Sequence, residues 1–155
     1  MLQASLLELA EAGRLGTLTL RATRATVRTA LGDPEQSSTI TNKDRQPSIW
    51  KYGDLEFHFS EGDTLWLIHT DTFVSAPRGG RRLRLDPWIF RRSLTAEAMV
   101  AVCEQLQLRC EALVRPWFEP EGRRFLLGIG VEATFAASAG KKGERFEALS
   151  YAWKP

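Results

Sequence analysis

The chain has 155 residues, about the length of one ordinary domain, and residues 1–155 are expected to form a single compact domain. Its composition is 43% hydrophobic and 26% charged, which excludes the weakly hydrophobic, highly charged chains that stay disordered. The formal net charge is only +2, so the whole protein has no strong attraction for nucleic acid or anionic lipid, and any charge effect must be local.

The amino-terminal residues indicate neither export nor membrane insertion. Residues 1–13 place Glu8 and Glu11 within an apolar pattern and lack the basic region and cleavage site of a secretory signal. No apolar stretch approaches the ~20 residues that a membrane span requires. Cys103 and Cys110 have no metal-ligand spacing around them and are expected to be free, buried thiols. A cytoplasmic location without membrane contact is the simplest expectation.

Two helices are predicted in the first part of the chain. Apolar residues recur at helical spacing from Leu2 to Ala10, and Gly13 stops this run, which predicts an amphipathic helix of about three turns. The second helix is shorter and is specified at both ends, because Thr23 can cap its first turn and Gly32 can end it.

An alternating segment then predicts β-structure. Residues 48–60 are predicted to form one strand, which a turn at 61–63 joins to a second strand, 64–73. Continuous alternation assigns two faces: Ile49, Leu55, Phe57 and Phe59 on the covered face, and Trp50, Tyr52, Asp54, Glu56 and His58 on the open one.

The second half begins after a Gly/Arg-rich connector, residues 76–92. A capped helix is predicted to start near Thr95. Three strands should follow it, which repeats the helix-then-sheet order of the first half. The predicted strands are residues 109–116, 123–137 and 146–153, with turns at 119–122 and 139–143.

The two halves can be aligned on one strand, residues 64–73 against 126–135, each of which ends in Thr-Phe. This alignment predicts repeat units 1–75 and 93–155, although chance similarity between two alternating strands is the alternative. The predicted fold class is α+β, with helices packed on one face of an antiparallel sheet and two helix-then-sheet repeats side by side.

The alignment also assigns individual side chains to faces. It places Trp66 and Ile68 on the open face. Their equivalents in the second half are Gly128 and Gly130, which would lie inside a strand. It places His69 on the helix-covered face, as a hydrogen-bonded core or strand-end histidine.

The segment from Thr23 to Pro34 carries the pattern Thr-Arg-x-x-Val-x-x-x-Leu-Gly-x-Pro. This pattern resembles a bacterial superfamily of small α+β domains that includes an outer-membrane assembly lipoprotein and the β-lactamase inhibitory protein. Residues 50–59 also resemble a sheet segment of small bacterial proteins associated with toxin immunity. The resemblance covers about 50 residues well and reaches the second half only through the repeat. It implies an antiparallel sheet in tandem units that binds another protein. Without an export signal or a lipid-accepting cysteine, an envelope role is not expected.

The open face of the first half is the predicted partner-binding site. Aromatic side chains supply stiff contact area at interface hot spots, and neighbouring acidic groups suit a basic partner surface. Burial of this face under the protein's own loop or second half is the competing interpretation. The predicted partner-binding residues are Trp50, Tyr52, Asp54, Glu56, His58, Trp66 and Ile68.

Catalytic and metal sites are not expected. His58 and His69 lie near several carboxylates, but the predicted faces keep the two imidazoles apart, which argues against a shared metal or acid–base site. The sequence contains none of the common nucleophile, phosphate-loop, zinc-protease or dinucleotide motifs. No enzymatic activity, cofactor or metal is therefore predicted.

The connector offers an alternative function. Clustered arginines beside Trp88 and Phe90 could contact phosphates and stack on bases, although a solvated linker pinned to the core by the two aromatics is the commoner outcome. The alternative nucleic-acid-binding residues are Arg78, Arg81, Arg82, Arg84, Arg91 and Arg92.

Together these features predict a stoichiometric protein-binding module. An immunity or inhibitor protein is the sharpest version, in which the aromatic and acidic face occludes a partner such as a cognate toxin. Nucleic-acid binding through the connector remains the alternative.

Overall fold

The computed structural model describes residues 1–114, 122–137 and 144–153. Of these residues, 41% lie in strands and 18% in helices. The helices are α1 (Leu6–Ala12), α2 (Arg24–Leu31) and α3 (Ala96–Gln105). The first eight strands are β1 (Leu2–Ser5), β2 (Arg14–Leu15), β3 (Leu18–Thr19), β4 (Gln36–Ser38), β5 (Ile49–Tyr52), β6 (Leu55–Phe59), β7 (Leu65–Thr70) and β8 (Leu83–Asp86). The last four are β9 (Cys110–Leu113), β10 (Gly122–Leu127), β11 (Val131–Ala137) and β12 (Glu144–Ala152).

Eight of these strands form one antiparallel sheet in the order β4-β5-β6-β7-β12-β11-β10-β9. The order describes two four-stranded meanders, β4 to β7 and β9 to β12, whose last strands pair with each other. The remaining strands make two small sheets: β1 pairs with β8 in parallel, and β2 pairs with β3.

The predicted fold class, α+β with helices packed on one sheet face in two repeats, is wrong. The chain is mostly β, and its helices are short. Buried side chains outside the large sheet come from the helices but also from the small strands and the connector, as Leu15, Leu83 and Phe90 show. Helices were expected to form this layer because helical periodicity is visible in a sequence, whereas the long-range pairing of β1 with β8 leaves no local pattern.

The predicted helix caps are confirmed. Thr23 caps α2, its hydroxyl oxygen accepting a hydrogen bond from the backbone N–H of Thr26 at 3.2 Å, and Gly32 ends the helix. Thr95 caps α3 in the same way through Ala98 N–H. These ends were predictable because a cap depends on residues within one turn of the helix.

The first helix is shorter than predicted. It begins at Leu6, because Ser5 caps it and Leu2–Ser5 pair with β8 instead of continuing the helix. The apolar spacing from Leu2 fits a helix and a half-buried strand equally well over so few residues.

The predicted strand 123–137 is a hairpin. Gly128 to Gly130 form its turn, with positive φ angles of +53° at Gly128 and +142° at Gly130. A Cβ on Gly128 would lie 1.9 Å from the carbonyl oxygen of Ala10, so the backbone approaches α1 closely at this turn. The alignment of 64–73 with 126–135 therefore set one strand against a turn and is wrong. The predicted turn at 139–143 lies outside the described residues, as does most of the one at 119–122.

One buried cluster joins the two meanders. Phe146 of β12 stacks on Phe73 at 5.6 Å between ring centroids and meets Phe90 of the connector at 4.9 Å. Side chains of β5 to β7 and of β10 to β12 belong to the same cluster. Among the described residues, no helix is long and apolar enough to cross a membrane.

Candidate functional site

The predicted open face is wrong for three of its seven residues. Trp50, Tyr52 and Ile68 lie in the core, with 4%, 2% and 3% of their surface exposed. The Tyr52 hydroxyl also donates a hydrogen bond to the carbonyl oxygen of Gly32 at 2.9 Å. These side chains hold the protein together and cannot contact a partner in this fold.

A missed turn explains the error at Trp50 and Tyr52, whereas Ile68 was misplaced by the alignment of the two halves. Residues 48–60 are not one strand, because Gly53 and Asp54 form a tight turn that pairs Tyr52 with Leu55. Paired residues point to the same side of a sheet, so even-numbered residues face the core before the turn and odd-numbered residues do so after it. The assumption of continuous alternation through residues 48–60 therefore assigned the side chains of β5 to the wrong face.

Asp54 lies at this turn and is held by the connector. Its carboxylate accepts a hydrogen bond from the backbone N–H of Arg78 at 2.9 Å, and the Arg78 guanidinium lies 3.6 Å away. Asp54 thus ties the β5–β6 turn to the segment before β8.

The other three predicted residues, Glu56, His58 and Trp66, lie on the face of the large sheet that points away from the core. His58 Nε2 is 3.1 Å from Glu56 Oε2, and the His58 ring meets the Trp66 ring edge-on at 6.0 Å. An irregularity in the β6–β7 register turns Trp66 outward together with Leu67, while Leu65 stays in the core.

We call this side of the sheet the open face. All of its described side chains on β5 to β7 and β9 to β12 are at least partly exposed. Its members include Ile49, Lys51, Glu56, His58, Trp66, Leu67, His69, Glu111, Leu113, Arg124, Leu126, Glu132, Thr134, Ala148 and Ser150.

A polar row crosses the open face through five adjacent strands. The strand registers place Lys51, Glu56, His69, Ser150 and Glu132 in succession, each beside the next. Such cross-strand neighbours have Cβ atoms only about 5 Å apart, so their side chains interact. The Lys51 ammonium, for example, lies 3.9 Å from the Glu56 carboxylate.

His69 belongs to this row, and the prediction that it faces the covered side is wrong. Its Nδ1 atom lies 2.7 Å from the Ser150 hydroxyl, and its Nε2 atom lies 3.4 Å from an Asp71 carboxylate oxygen. Burial alone would raise the pKa of Asp71, but hydrogen bonds from Thr72 and His69 outweigh it, so the pKa lies below its usual value. The two histidines are therefore on one face, although the sequence separated them.

A cavity of about 420 Å³ opens beside His69 and Ser150. Arg92 forms one wall and is held by main-chain carbonyls: its guanidinium donates to Asp71 at 2.6 Å and to Glu147 at 2.9 Å. The same guanidinium lies 3.9 Å from the centre of the Phe73 ring. Arg92 thus fastens the end of β7 to β12.

The other connector arginines do not form one site with Arg92. Arg78 pairs with Asp54, and the backbone N–H of Arg81 donates to Glu35 at 2.5 Å. The side chains of Arg81, Arg82, Arg84 and Arg91 are exposed. As predicted, Phe90 pins the connector to the core, and Trp88 packs against it at 5.5 Å.

Ser150, His69 and Asp71 have the residue types of a hydrolytic triad, but the strand that carries Ser150 offers no free backbone donor beside it. Ser150 lies in β12, which pairs with β11 on one side and β7 on the other. The backbone N–H groups of such a central strand are used by the two ladders and cannot stabilise an oxyanion.

The sequence contained one overlooked signal for this site. A Gly-Asp pair between alternating runs is typical of a two-residue hairpin, and Gly53-Asp54 is such a pair. Placing a turn there would have turned Trp50 and Tyr52 into the core. Ser150 had no comparable signal, because its contact with His69 depends on the pairing of strands 81 residues apart.

Comparisons with known proteins identify a protein of similar fold but indicate no function. No protein-family model matches the chain, and no curated protein matches its sequence. Its structure is similar to the crystal structure of a DUF4309 family protein, YjgB, from Bacillus subtilis, with a TM-score of 0.53 and 18% sequence identity. The match covers 96% of this chain and 93% of that chain. At this identity the likeness shows the fold alone, and the superfamily resemblance of residues 23–34 stays a prediction.

Proposed function

We propose that this chain is a stoichiometric protein-binding module that docks its partner on the open face. The observation that carries the proposal is the one-sided burial of the large sheet. One side lies in the core, whereas the other presents half-buried aromatic, imidazole, acidic and basic side chains on adjacent strands.

The composition of the open face suits a protein partner. Trp66 supplies stiff aromatic contact area beside His58, and interfaces are enriched in such side chains. Glu56 and Glu132 add acidic groups, but the Lys51 ammonium lies beside Glu56, so a partner with complementary charges of both signs would fit this face. Neighbouring side chains already restrict the rotamers of these residues, so less side-chain conformational entropy is lost when a partner binds.

The sharper version of the proposal is an immunity or inhibitor role in the cytoplasm. Docking would occlude the active or binding site of the partner, such as a cognate toxin, and no chemical step would be needed. The support for the compartment is the two free thiols, Cys103 and Cys110, because reducing compartments keep cysteines unpaired.

A paired set of variants tests the proposal. Trp66→Ala and Glu56→Gln change the open face, whereas Val74→Ala removes a side chain that is 86% exposed and lies outside the sheet. Each protein is immobilised, its partners are captured from the native host and identified, and the purified partner is titrated by calorimetry. We expect Kd to rise about ten-fold or more for the first two variants and to stay unchanged for the third.

The melting temperature of each variant serves as the folding control. Equal affinity of all four proteins for the partner would refute docking on the open face. Capture of nucleic acid that disappears in Arg81→Ala and Arg82→Ala would instead support the alternative function of the connector.

A further inference from the structure

A second cavity lies at the end of the large sheet, beyond the polar row. It has a volume of about 530 Å³ and is formed where the end of β12 meets the β10–β11 turn and the segment after β3. We call it the apolar groove and define it by Leu20, Arg21, Leu126, Ile129, Tyr151 and Trp153.

The groove is lined by both apolar and polar surface, and its largest apolar side chains are partly open to solvent. Ile129 is 51% exposed and Trp153 is 45% exposed, which is high for side chains of this size. Both line the same concavity with Tyr151, whose phenol has a pKa raised by burial. Exposed apolar side chains that gather in one concave site indicate a ligand rather than scattered surface residues.

Arg21 is the charged member of the groove. Among the described residues that line the cavity, it alone carries a formal charge. Its guanidinium carbon lies 5.4 Å from the centre of the Trp153 ring. Stacking on an indole leaves the edge of a guanidinium available for two hydrogen bonds to one anionic group.

The backbone holds Arg21 in an unusual conformation. Its φ angle is +75°, in the left-handed region that a residue with a Cβ rarely adopts. The conformation is fixed by a hydrogen bond from Arg21 N–H to the carbonyl oxygen of Leu65 at 2.7 Å. A strained residue that carries the charge of an apolar cavity is consistent with a binding role.

We propose that the apolar groove binds a small amphiphilic carboxylate. Its apolar body would lie against Ile129, Tyr151 and Trp153, and its carboxylate would accept two hydrogen bonds from Arg21. The volume is in the range of small-molecule sites, and the single positive charge selects an anionic head group. This proposal does not rest on the docking of a protein on the open face, although Leu126 borders both sites.

Calorimetric titration with matched ten-carbon ligands tests the proposal. The probes are decanoate, decanol and decyltrimethylammonium, each kept below its micelle concentration. We expect saturable 1:1 binding of decanoate and at least about ten-fold weaker binding of decyltrimethylammonium, because only the first can pair with Arg21. Failure of decanoate to bind, or equal binding of the two ions, would overturn the proposal.

Variants locate the site. Arg21→Asn removes the charge with a residue that tolerates positive φ, and it should weaken decanoate about ten-fold while leaving decanol unchanged. Ile129→Ser should weaken both ligands. Arg84→Asn removes an exposed arginine outside the groove and should change neither. Unchanged decanoate binding by Arg21→Asn would contradict the assignment of the carboxylate.

A variant of the open face keeps the two proposals distinguishable. Glu56→Gln, which alters the open face, should bind decanoate like the wild-type protein, so the failure of one proposal does not imply the failure of the other.

A peptide ligand distinguishes a small-molecule site from a protein-docking site. A short peptide with adjacent leucine and aspartate residues should bind more weakly than decanoate. If the peptide binds and decanoate does not, the groove is a protein-docking site and the proposal is wrong.

Discussion

Tyr52 shows how one side chain can link two elements of this fold. Its ring packs edge-on against Phe57 at 5.3 Å, and its hydroxyl bonds to the carbonyl oxygen of Gly32 at the end of α2. Trp50, on the same strand, meets Phe59 at 4.9 Å and lies under the Arg28 guanidinium at 4.7 Å. Trp50 and Tyr52, which suggest a docking surface in the sequence, are therefore core residues that join β5 to α2.

Removal of Trp50 should destabilise the protein strongly. Trp50→Ala is expected to lower the free energy of unfolding by about 3–5 kcal/mol, because it opens a cavity in the core. Ile49→Ala is a control on the opposite, half-buried face of the same strand and should cost less. Urea unfolding measures both values. A loss of less than about 1 kcal/mol for Trp50→Ala would contradict the core position.

The raised pKa values of two buried side chains predict that the folded protein loses stability at high pH. Burial raises the pKa of Tyr52 to about 12, and burial together with the neighbouring Cys110 raises the pKa of Cys103 to about 12. The unfolded chain releases these protons near pH 9 to 10, whereas the folded protein keeps them. This contribution to stability is therefore complete below about pH 9 and is lost as the pH rises towards 12.

Urea unfolding at several pH values between 8 and 11.5 measures this effect. Tyr52→Phe should reduce the slope of unfolding free energy against pH above pH 10, because phenylalanine has no proton to lose. An unchanged slope would show that Tyr52 is not protected from ionisation.

At the scale of elements, local signals were readable in the sequence and long-range pairings were not. Thr23 and Gly32 set the ends of α2 through contacts within a few residues, so that helix was predicted correctly. The turn at Gly53-Asp54 was equally local but was overlooked, and this reversed the face of β5. The pairing of β7 with β12 depends on residues about 80 positions apart, and no local pattern indicated it.

The candidate site was only partly predictable for the same reason. Glu56 and His58 were placed on the open face correctly, because the alternation of β6 starts after the turn. Trp66 also lies there, because the irregularity in the β6–β7 register turns it outward. His69 was misplaced by the alignment of the halves, since Gly128 and Gly130 form a turn rather than a strand. Errors in turns therefore moved whole rows of side chains from one face to the other.

The turn at Gly128 gives a test at this scale. Gly128→Ala should lower the free energy of unfolding by about 2 kcal/mol or more, because its positive φ and the Ala10 carbonyl leave no room for a Cβ. Gly62→Ala is the matched control, since the nearest atom to its Cβ would be 3.7 Å away. That change should be neutral or slightly stabilising. Equal effects of the two substitutions would contradict the close approach of this turn to α1.

At the scale of the molecule, the two meanders create one broad sheet with unequal sides. Pairing β7 with β12 extends the open face across both halves and brings His69 next to Ser150. The proposed protein interface therefore includes residues of both halves, whereas the partner-binding residues predicted from the sequence all lie in the first half. The apolar groove lies at the end of this sheet and takes a different class of ligand in our proposal.

Hydroxyl-radical footprinting of the protein with and without its captured partner tests the central claim most directly. We expect the partner to protect Trp66, His58 and His69 on the open face, while Trp88 on the connector reacts equally in both states. Trp50 should react slowly in both, because it is buried. Protection of Trp88 and the connector, with Trp66 and His69 unchanged, would contradict docking on the open face.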